Sequence, residues 1–305
     1  AWWPCSSPTV FTQGETTTPS NSSDHTSTLP SAKPSRRDRK AVIRCARNQE
    51  RKGWDLAMFE ELLTEQRNPR SMFLDQMSTR EILELINDED AKVAAAVRLA
   101  LLQIAAAVDL VVDRLKAGGR VFYVGAGTSG RIGLLDALEW PPTFGVDRDL
   151  VQAVVPGGET ATIESTSELE DDTDLGAADL SARGVRPSDV VIGIAASGRT
   201  PYVVGALRAA RQVGAAVVSL SCNLGGPMVE LADVAITVLV GPEVLTGSTR
   251  MKAGTAQKMV LNMISTTAMV RLGKVYSNLM VDVRPLNWKL LERARRIVAE
   301  AAGIS

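Results

Sequence analysis

The chain has one histidine, three cysteines and few aromatic residues, and each shortage closes off a chemistry. His25 lies in a polar, low-complexity N-terminal stretch. A Ser-His-Asp triad in a folded region, an HExxH zinc site and a histidine general base are therefore excluded. Cys5, Cys45 and Cys222 are widely spaced, so neither a disulfide framework nor a cysteine zinc site can be read. No apolar run reaches the roughly 18 residues a membrane span needs, and none is expected. The opening AWWPCSSPTV lacks a basic region followed by an apolar one, so it does not read as a standard signal peptide. Charge almost cancels, with 34 basic and 35 acidic residues, which leaves no global field for nucleic acid. Any catalysis must run on carboxylates, hydroxyls, lysine, arginine or backbone N–H groups.

What is present divides into a tail and a folded unit. Residues 1–32 hold 14 Ser or Thr and almost no aliphatic pattern, too little to offset the entropy of ordering. Lys33 to Lys52 carries nine basic residues against two acidic ones and reads as a solvated linker. Asn21-Ser22-Ser23 fits a glycosylation sequon, which matters only in a secreted protein. The expected boundaries are a disordered tail over 1–53 and one folded domain over 54–305.

Within the folded unit, 54–66 reads as an amphipathic helix closed by Asn68-Pro69. Ser78 and Glu81 form a capping box that opens the next helix. A break is expected at Asn87–Asp90, followed by an Ala-rich helix over 91–116. After Gly119 short apolar strands alternate with helices. Strands are expected at 120–124, 151–155, 189–195, 215–220 and 233–240. Helices are expected at 131–139, 161–169, 175–182 and 201–213. This is the pattern of an α/β three-layer sandwich, a central mainly parallel sheet between long flanking helices. A long Met- and Ala-rich helix over 247–272 suits either a buried position or a dimer interface, and the interface is favoured. A last helix spans 286–302.

Two strand–loop–helix corners carry the chemistry. The first, Gly125-Ala126-Gly127-Thr128-Ser129-Gly130-Arg131, matches GxGxxG, but no acidic residue ends the next strand as a dinucleotide site requires. The second is Ala196-Ser197-Gly198-Arg199-Thr200-Pro201, with Pro201 suited to the first helical position and Thr200 to the N-cap. Hydroxyls beside unpaired helix N–H groups are the parts of an anion site. Neither corner has the GKS/T ending of a nucleotide P-loop, so a small phosphorylated molecule is the expected ligand. A third polar stretch, 241–252, holds Glu243, Ser248, Thr249, Arg250 and Lys252. Its hydroxyls are expected to cap the long helix and its cations to face an anion. Glu243 could be catalytic, a binding group or an ion-pair partner. For proton transfer, Glu139 stands near the end of a helix beside Trp140 and Pro141-Pro142, where weak solvation would suit a general acid. The acids from Glu164 to Asp174 cannot be told apart by this reasoning.

Long motifs in order then carry a resemblance. These are TEQRNP at 64–69, LDQ at 74–76, GAGTSGR at 125–131, PPTFG at 141–145, GIAASGRTPYV at 193–203, GPEVLTGSTRMKAGTAQK at 241–258 and RLGKVYSNLMVDV at 271–283. They resemble the N-acetylmuramic acid 6-phosphate etherases, of the sugar isomerase (SIS) domain superfamily. A non-enzymatic relative of that family is the mammalian glucokinase regulatory protein. The resemblance covers about 57–303. It implies a cytoplasmic homodimer with sites near the subunit interface and no metal or organic cofactor. The implied reaction cleaves the D-lactyl ether of a phosphorylated amino sugar by elimination and hydration. It also implies catalytic roles for Glu139 and, in the Glu-Asp-Asp context, Glu170. The substrate-binding set is then Thr128, Ser129, Gly130, Ser197, Gly198, Arg199, Thr200, Glu243, Ser248 and Lys252. The sequence departs from the family at Leu138, where Ser is common, and at Trp140, where a small residue or Met is common. Trp140 is thus expected to crowd Glu139. The competing readings are a phosphosugar isomerase, a non-catalytic phosphosugar-binding regulator and a structural protein without a ligand.

Overall fold

The computed structural model describes residues 61–158 and 167–303. The tail, its basic run, the sequon and most of the helix expected at 161–169 lie outside the described residues. Five strands form one parallel sheet: β1 Val121–Gly125, β2 Val151–Val154, β3 Val190–Ile194, β4 Ala216–Ser221 and β5 Val234–Thr237. Their order is β2-β1-β3-β4-β5. The helices are α1 Thr79–Leu99, α2 Leu101–Lys116, α3 Gly127–Phe144, α4 Thr173–Ala182, α5 Pro201–Gln212, α6 Pro227–Leu231, α7 Lys252–Arg271 and α8 Trp288–Ala302.

The strands are apolar on both faces because both faces are covered. Alternate residues divide between two cores. Tyr123, Ile192, Val218 and Ile236 face α1, α2, α3 and α7. Phe122, Val124, Val191 and Val217 face α4, α5 and Met228 of α6. Glycine permits the tightest contact on the second side: a Cβ on Gly176 of α4 would stand 1.9 Å from the Tyr202 carbonyl oxygen of α5.

Several boundaries differ from expectation. The capping box forms, with Ser78 N–H donating to Glu81 at 2.7 Å. The break expected at Asn87–Asp90 does not. α1 runs through it, since Asp88 and Glu89 find cations in Arg70, Lys92 and Lys252. The break comes at Ala100 instead, with a 60° bend between α1 and α2. Of the helix expected over 54–66, residues 54–60 lie outside the described residues, and 61–66 are turns. Thr64 there pairs with Asn223, its N–H donating to Oδ1 at 3.4 Å and its Oγ1 accepting from Nδ2 at 2.9 Å. α3 is longer than expected at both ends. It starts inside the glycine corner and passes through Pro141 and Pro142 before Gly145 closes it in the left-handed region. α7 begins at Lys252, and Val260, Leu261, Ile264 and Ala268 on one of its faces are buried within the chain's own core. Among the described residues no single helix is long and apolar enough to cross a membrane.

Candidate functional site

The strand order reverses between β1 and β3. The chain moves from β1 outward to β2, then returns past β1 to β3, β4 and β5. In open parallel sheets that reversal leaves a crevice at the carboxyl ends of the two strands. Both glycine-rich corners open there, because Gly125 at the end of β1 is paired with Ile194 at the end of β3.

At the first corner Gly127 adopts φ +53 and starts α3. The N-cap, Ala126, has no side chain able to cap, and Gly130 N–H is the first to bond back, to the Ala126 carbonyl at 3.1 Å. The earlier N–H groups are left for an anion. Thr128 and Ser129 are partly exposed in this first turn. Ser129 Oγ donates to Gln257 Oε1 at 3.0 Å, which fastens the corner to α7. A Cβ on Gly130 would lie 2.4 Å from the Gly125 carbonyl oxygen, so only glycine fits where the helix leaves the strand.

At the second corner Gly198 takes φ +70. Pro201 occupies the first helical position and Thr200 the N-cap, but the Thr200 hydroxyl makes no cap bond. The Thr200 side chain is partly exposed. Ser197 Oγ accepts from Arg199 N–H at 3.2 Å. Arg199 is not in a surface ion pair. Its guanidinium lies under Gly226, where a Cβ would meet Nη1 at 3.2 Å, and its buried Nε has no hydrogen-bond partner. Asn223 Nδ2 bridges the Ala196 carbonyl and Thr64 Oγ1, both at 2.9 Å, which ties 61–66 to this corner.

Glu170 lies between the two corners. Its carbonyl accepts from Tyr202 N–H at the start of α5, at 3.1 Å. Its Oε1 stands 3.0 Å from the place a Cβ on Gly127 would take. Burial, then the neighbouring Asp171, raise its pKa above the usual glutamate value, and Arg131 opposes them. Asp172 caps α4, accepting from Leu175 N–H at 2.9 Å, and so fixes the backbone two residues on.

The remaining candidates are placed elsewhere. Glu243 is fully buried and caps α7, accepting from Lys252 N–H at 3.1 Å and Ala253 N–H at 3.0 Å. Lys252 turns inward to Glu89, with Nζ to Oε2 at 2.7 Å. Both were expected at the ligand, and both are instead committed inside the fold. With Glu243 as cap, neither Ser248 nor Thr249 is needed there. Met251 is the N-cap residue and provides no side-chain bond. Ser248 remains partly exposed in a loop held by Asn68, whose Nδ2 donates to the Pro242 carbonyl at 3.2 Å. Glu65 also reaches this loop, its Oε2 standing 3.4 Å from a Cβ on Gly247, and burial raises its pKa.

Glu139 is exposed on α3, twelve residues beyond Gly127, a rise of roughly 18 Å. Within one chain it does not meet Glu170. It shares the outer face of α3 with Leu135 and Leu138, the latter 63% exposed. Trp140 does not crowd it. The indole is 1% exposed and faces the core, where Nε1 donates to Asp136 Oδ2 at 3.1 Å. Tyr123 Oη and Ser265 Oγ donate to the same buried carboxylate, at 2.8 and 3.2 Å. The exposure expected to be low at Glu139 is therefore high in the single chain, because the bulky neighbour points the other way. Gln257 and Thr64 carried no sequence signal beyond their place in the quoted motifs, and Asn223 lies in none of them. Among the described residues no three His, Cys, Asp or Glu side chains gather as metal ligands would.

Comparison with known proteins places this geometry. A family model, the glucokinase regulatory protein N-terminal SIS domain, matches residues 103–211. The N-acetylmuramic acid 6-phosphate etherase of Yersinia pestis (strain Pestoides F) is 57% identical over 244 residues, 80% of this chain and 83% of its own length. The etherase of Yersinia pseudotuberculosis (serotype O:1b, strain IP 31758) matches to the same extent. Among solved structures, phosphoheptose isomerase from Neisseria gonorrhoeae aligns with a TM-score of 0.50 at 19% identity, covering 63% of this chain and 98% of that one. A phosphoheptose isomerase from Francisella tularensis aligns with the same TM-score and identity, covering 64% and 100%. At that identity the likeness is one of fold.

Proposed function

The chain belongs to the N-acetylmuramic acid 6-phosphate etherases, and from that premise we propose how its residues carry the reaction. The enzyme is a carbon–oxygen lyase. It cleaves the D-lactyl ether of N-acetylmuramic acid 6-phosphate, with net addition of water, to N-acetylglucosamine 6-phosphate and D-lactate.

In the open-chain sugar the C1 aldehyde acidifies the C2 proton. Glu170 takes that proton. Its raised pKa makes it a stronger base than an ordinary glutamate, while the ionised form remains the working one. The C2 electron pair forms the C2–C3 double bond and the lactyl oxygen leaves from C3. An alkoxide leaves poorly, so Glu139 gives the oxygen a proton. Water then adds at C3 and C2 is reprotonated. Thr128, Ser129 and Gly130 of one corner, with Ser197, Gly198 and Thr200 of the other, hold the 6-phosphate through hydroxyls and helix N–H groups. Arg199 supports the second corner from beneath. Holding the remote phosphate aligns C2 and C3 with the carboxylates. The observation that carries this reading is the seat of Glu170, bonded to the start of α5 and touching the start of α3 at the switch point of the sheet.

The acid, on this reading, comes from a second copy of the chain. Glu139 lies too far along α3 to share a substrate with Glu170 of its own chain, and it is exposed beside two exposed leucines. A two-fold pairing across this face would carry each Glu139 into the other protomer's crevice. The phosphorylated substrate is too polar to cross a bilayer, so the enzyme must share the compartment in which the sugar is phosphorylated, and the cytoplasm is the compartment the family assignment favours. The test is incubation with N-acetylmuramic acid 6-phosphate and measurement of D-lactate. Wild type releases it and Glu139→Ala does not. Tight sugar-phosphate binding with no lactate from wild type contradicts the assignment of these roles.

A further inference from the structure

We propose that Gln257 is a positioning residue of the phosphate site, whose side-chain amide aims the Ser129 hydroxyl at the bound phosphate. The inference rests on the reading of the first corner as a phosphate cradle. Gln257 lies in the second turn of α7 and is 1% exposed. Its Oε1 accepts from Ser129 Oγ at 3.0 Å, while its Nε2 is buried with no hydrogen-bond partner. A buried amide N–H group without an acceptor is unfavourable, and few are retained in native proteins.

The proton count gives the orphan a purpose. Ser129 has one hydroxyl proton and here spends it on Gln257. A phosphate dianion presents only acceptors, so the same hydroxyl must donate to it. If Ser129 turned its proton to phosphate while Oε1 stayed in place, two lone-pair-bearing oxygens would face each other at 3.0 Å. Rotating the amide by half a turn removes the conflict. Nε2 then donates to Ser129 Oγ, and the hydroxyl proton points into the crevice. The two orientations need the same heavy-atom positions, so no backbone motion is required. The resulting relay, amide to hydroxyl to phosphate, polarises each bond in turn. α7 is held in place for this by Glu243 at its N-terminus and by the buried Lys252–Glu89 pair. At Gly254 the helix packs near Thr128, whose Cγ2 would lie 3.7 Å from a Cβ there, an ordinary contact distance.

The test is a double-mutant cycle on Ser129→Ala, Gln257→Leu and the double variant, read by calorimetric titration with N-acetylglucosamine 6-phosphate, with thermal melting of each protein. Ser129→Ala is expected to weaken binding about tenfold, the loss of one hydrogen bond to a charged group, and Gln257→Leu nearly as much. The double variant should be no weaker than Ser129→Ala, because Gln257 acts only through that hydroxyl. A role confined to packing would instead lower the melting temperature and add to the Ser129→Ala effect, and additivity overturns the proposal. Wild-type affinity in Gln257→Leu overturns it as well while leaving the phosphate reading intact. Wild-type affinity in Ser129→Ala overturns both. Gln257→Glu, which keeps the shape, carries the same cycle if the leucine variant does not fold. Its carboxylate can only accept from Ser129, so it should bind the phosphosugar more weakly than wild type.

Discussion

Glu170 Oε1 rests 3.0 Å from the position a Cβ would occupy on Gly127, so the glycine of the first corner and the proposed base of the reaction share one space. Gly127 also needs its positive φ. Gly127→Ala should therefore cost activity beyond its cost in stability. The left-handed residue costs about 1–2 kcal/mol. The added Cβ would also make the Glu170 carboxylate give by a few tenths of an ångström, a misplacement that should lower turnover by up to about tenfold. Steady-state kinetics beside thermal melting checks this, and a loss of activity no greater than the loss of folded protein contradicts it.

Glu170→Gln separates catalysis from stability in opposite directions. Removing the proposed base should lower kcat by about 10²–10⁴. The folded-state pKa of Glu170 is raised, first by burial and then by Asp171, so its ionised form is disfavoured in the fold. Above its unfolded pKa of about 4.3 the carboxylate therefore weakens the native state, and the neutral amide should raise the melting temperature at neutral pH. In wild type, kcat/KM should fall on the acid side with an apparent pKa above that of a free glutamate. An acid limb at or below that value argues against Glu170 as base.

Glu89 gives the opposite pH signature. Burial opposes its ionisation, but hydrogen bonds from Lys252, Lys92 and Arg70 outweigh it and lower its pKa to about 2. Its contribution is present in full above the unfolded pKa of about 4.3 and is lost as pH falls toward 2. Glu89→Gln should destabilise by about 3–5 kcal/mol at neutral pH, since it strands a buried Lys252. It should also flatten the acid dependence between those two values. Denaturant melts at pH 7 and pH 3 measure both, and equal losses at the two pH values contradict the assignment.

The sheet was legible because strands buried on both faces are short apolar runs, and 121–125, 190–194 and 216–221 look like nothing else. The two corners were legible because glycine and hydroxyl residues at a strand end have few other uses. What sequence could not supply is which side chain meets which. Asn87–Asp90 resembles a helix break until Arg70 and Lys252 arrive from distant segments to neutralise it. Ser248 and Thr249 are ordinary capping residues, but Glu243 reaches the α7 terminus first. Trp140 and Glu139 are neighbours in sequence, yet on a helix they face opposite environments. Gln257 becomes visible only once α7 is laid against α3.

Subunit complementation tests the central claim most directly. Glu139→Ala and Glu170→Gln chains, each inactive in D-lactate release, are unfolded together, refolded as a mixture and assayed on N-acetylmuramic acid 6-phosphate. If one site draws its base from one protomer and its acid from the other, half the random pairs are mixed and each holds one intact site, so about a quarter of wild-type activity returns. If both carboxylates act within a single chain, no pairing restores a complete site, and a mixture as inactive as its two components contradicts the account.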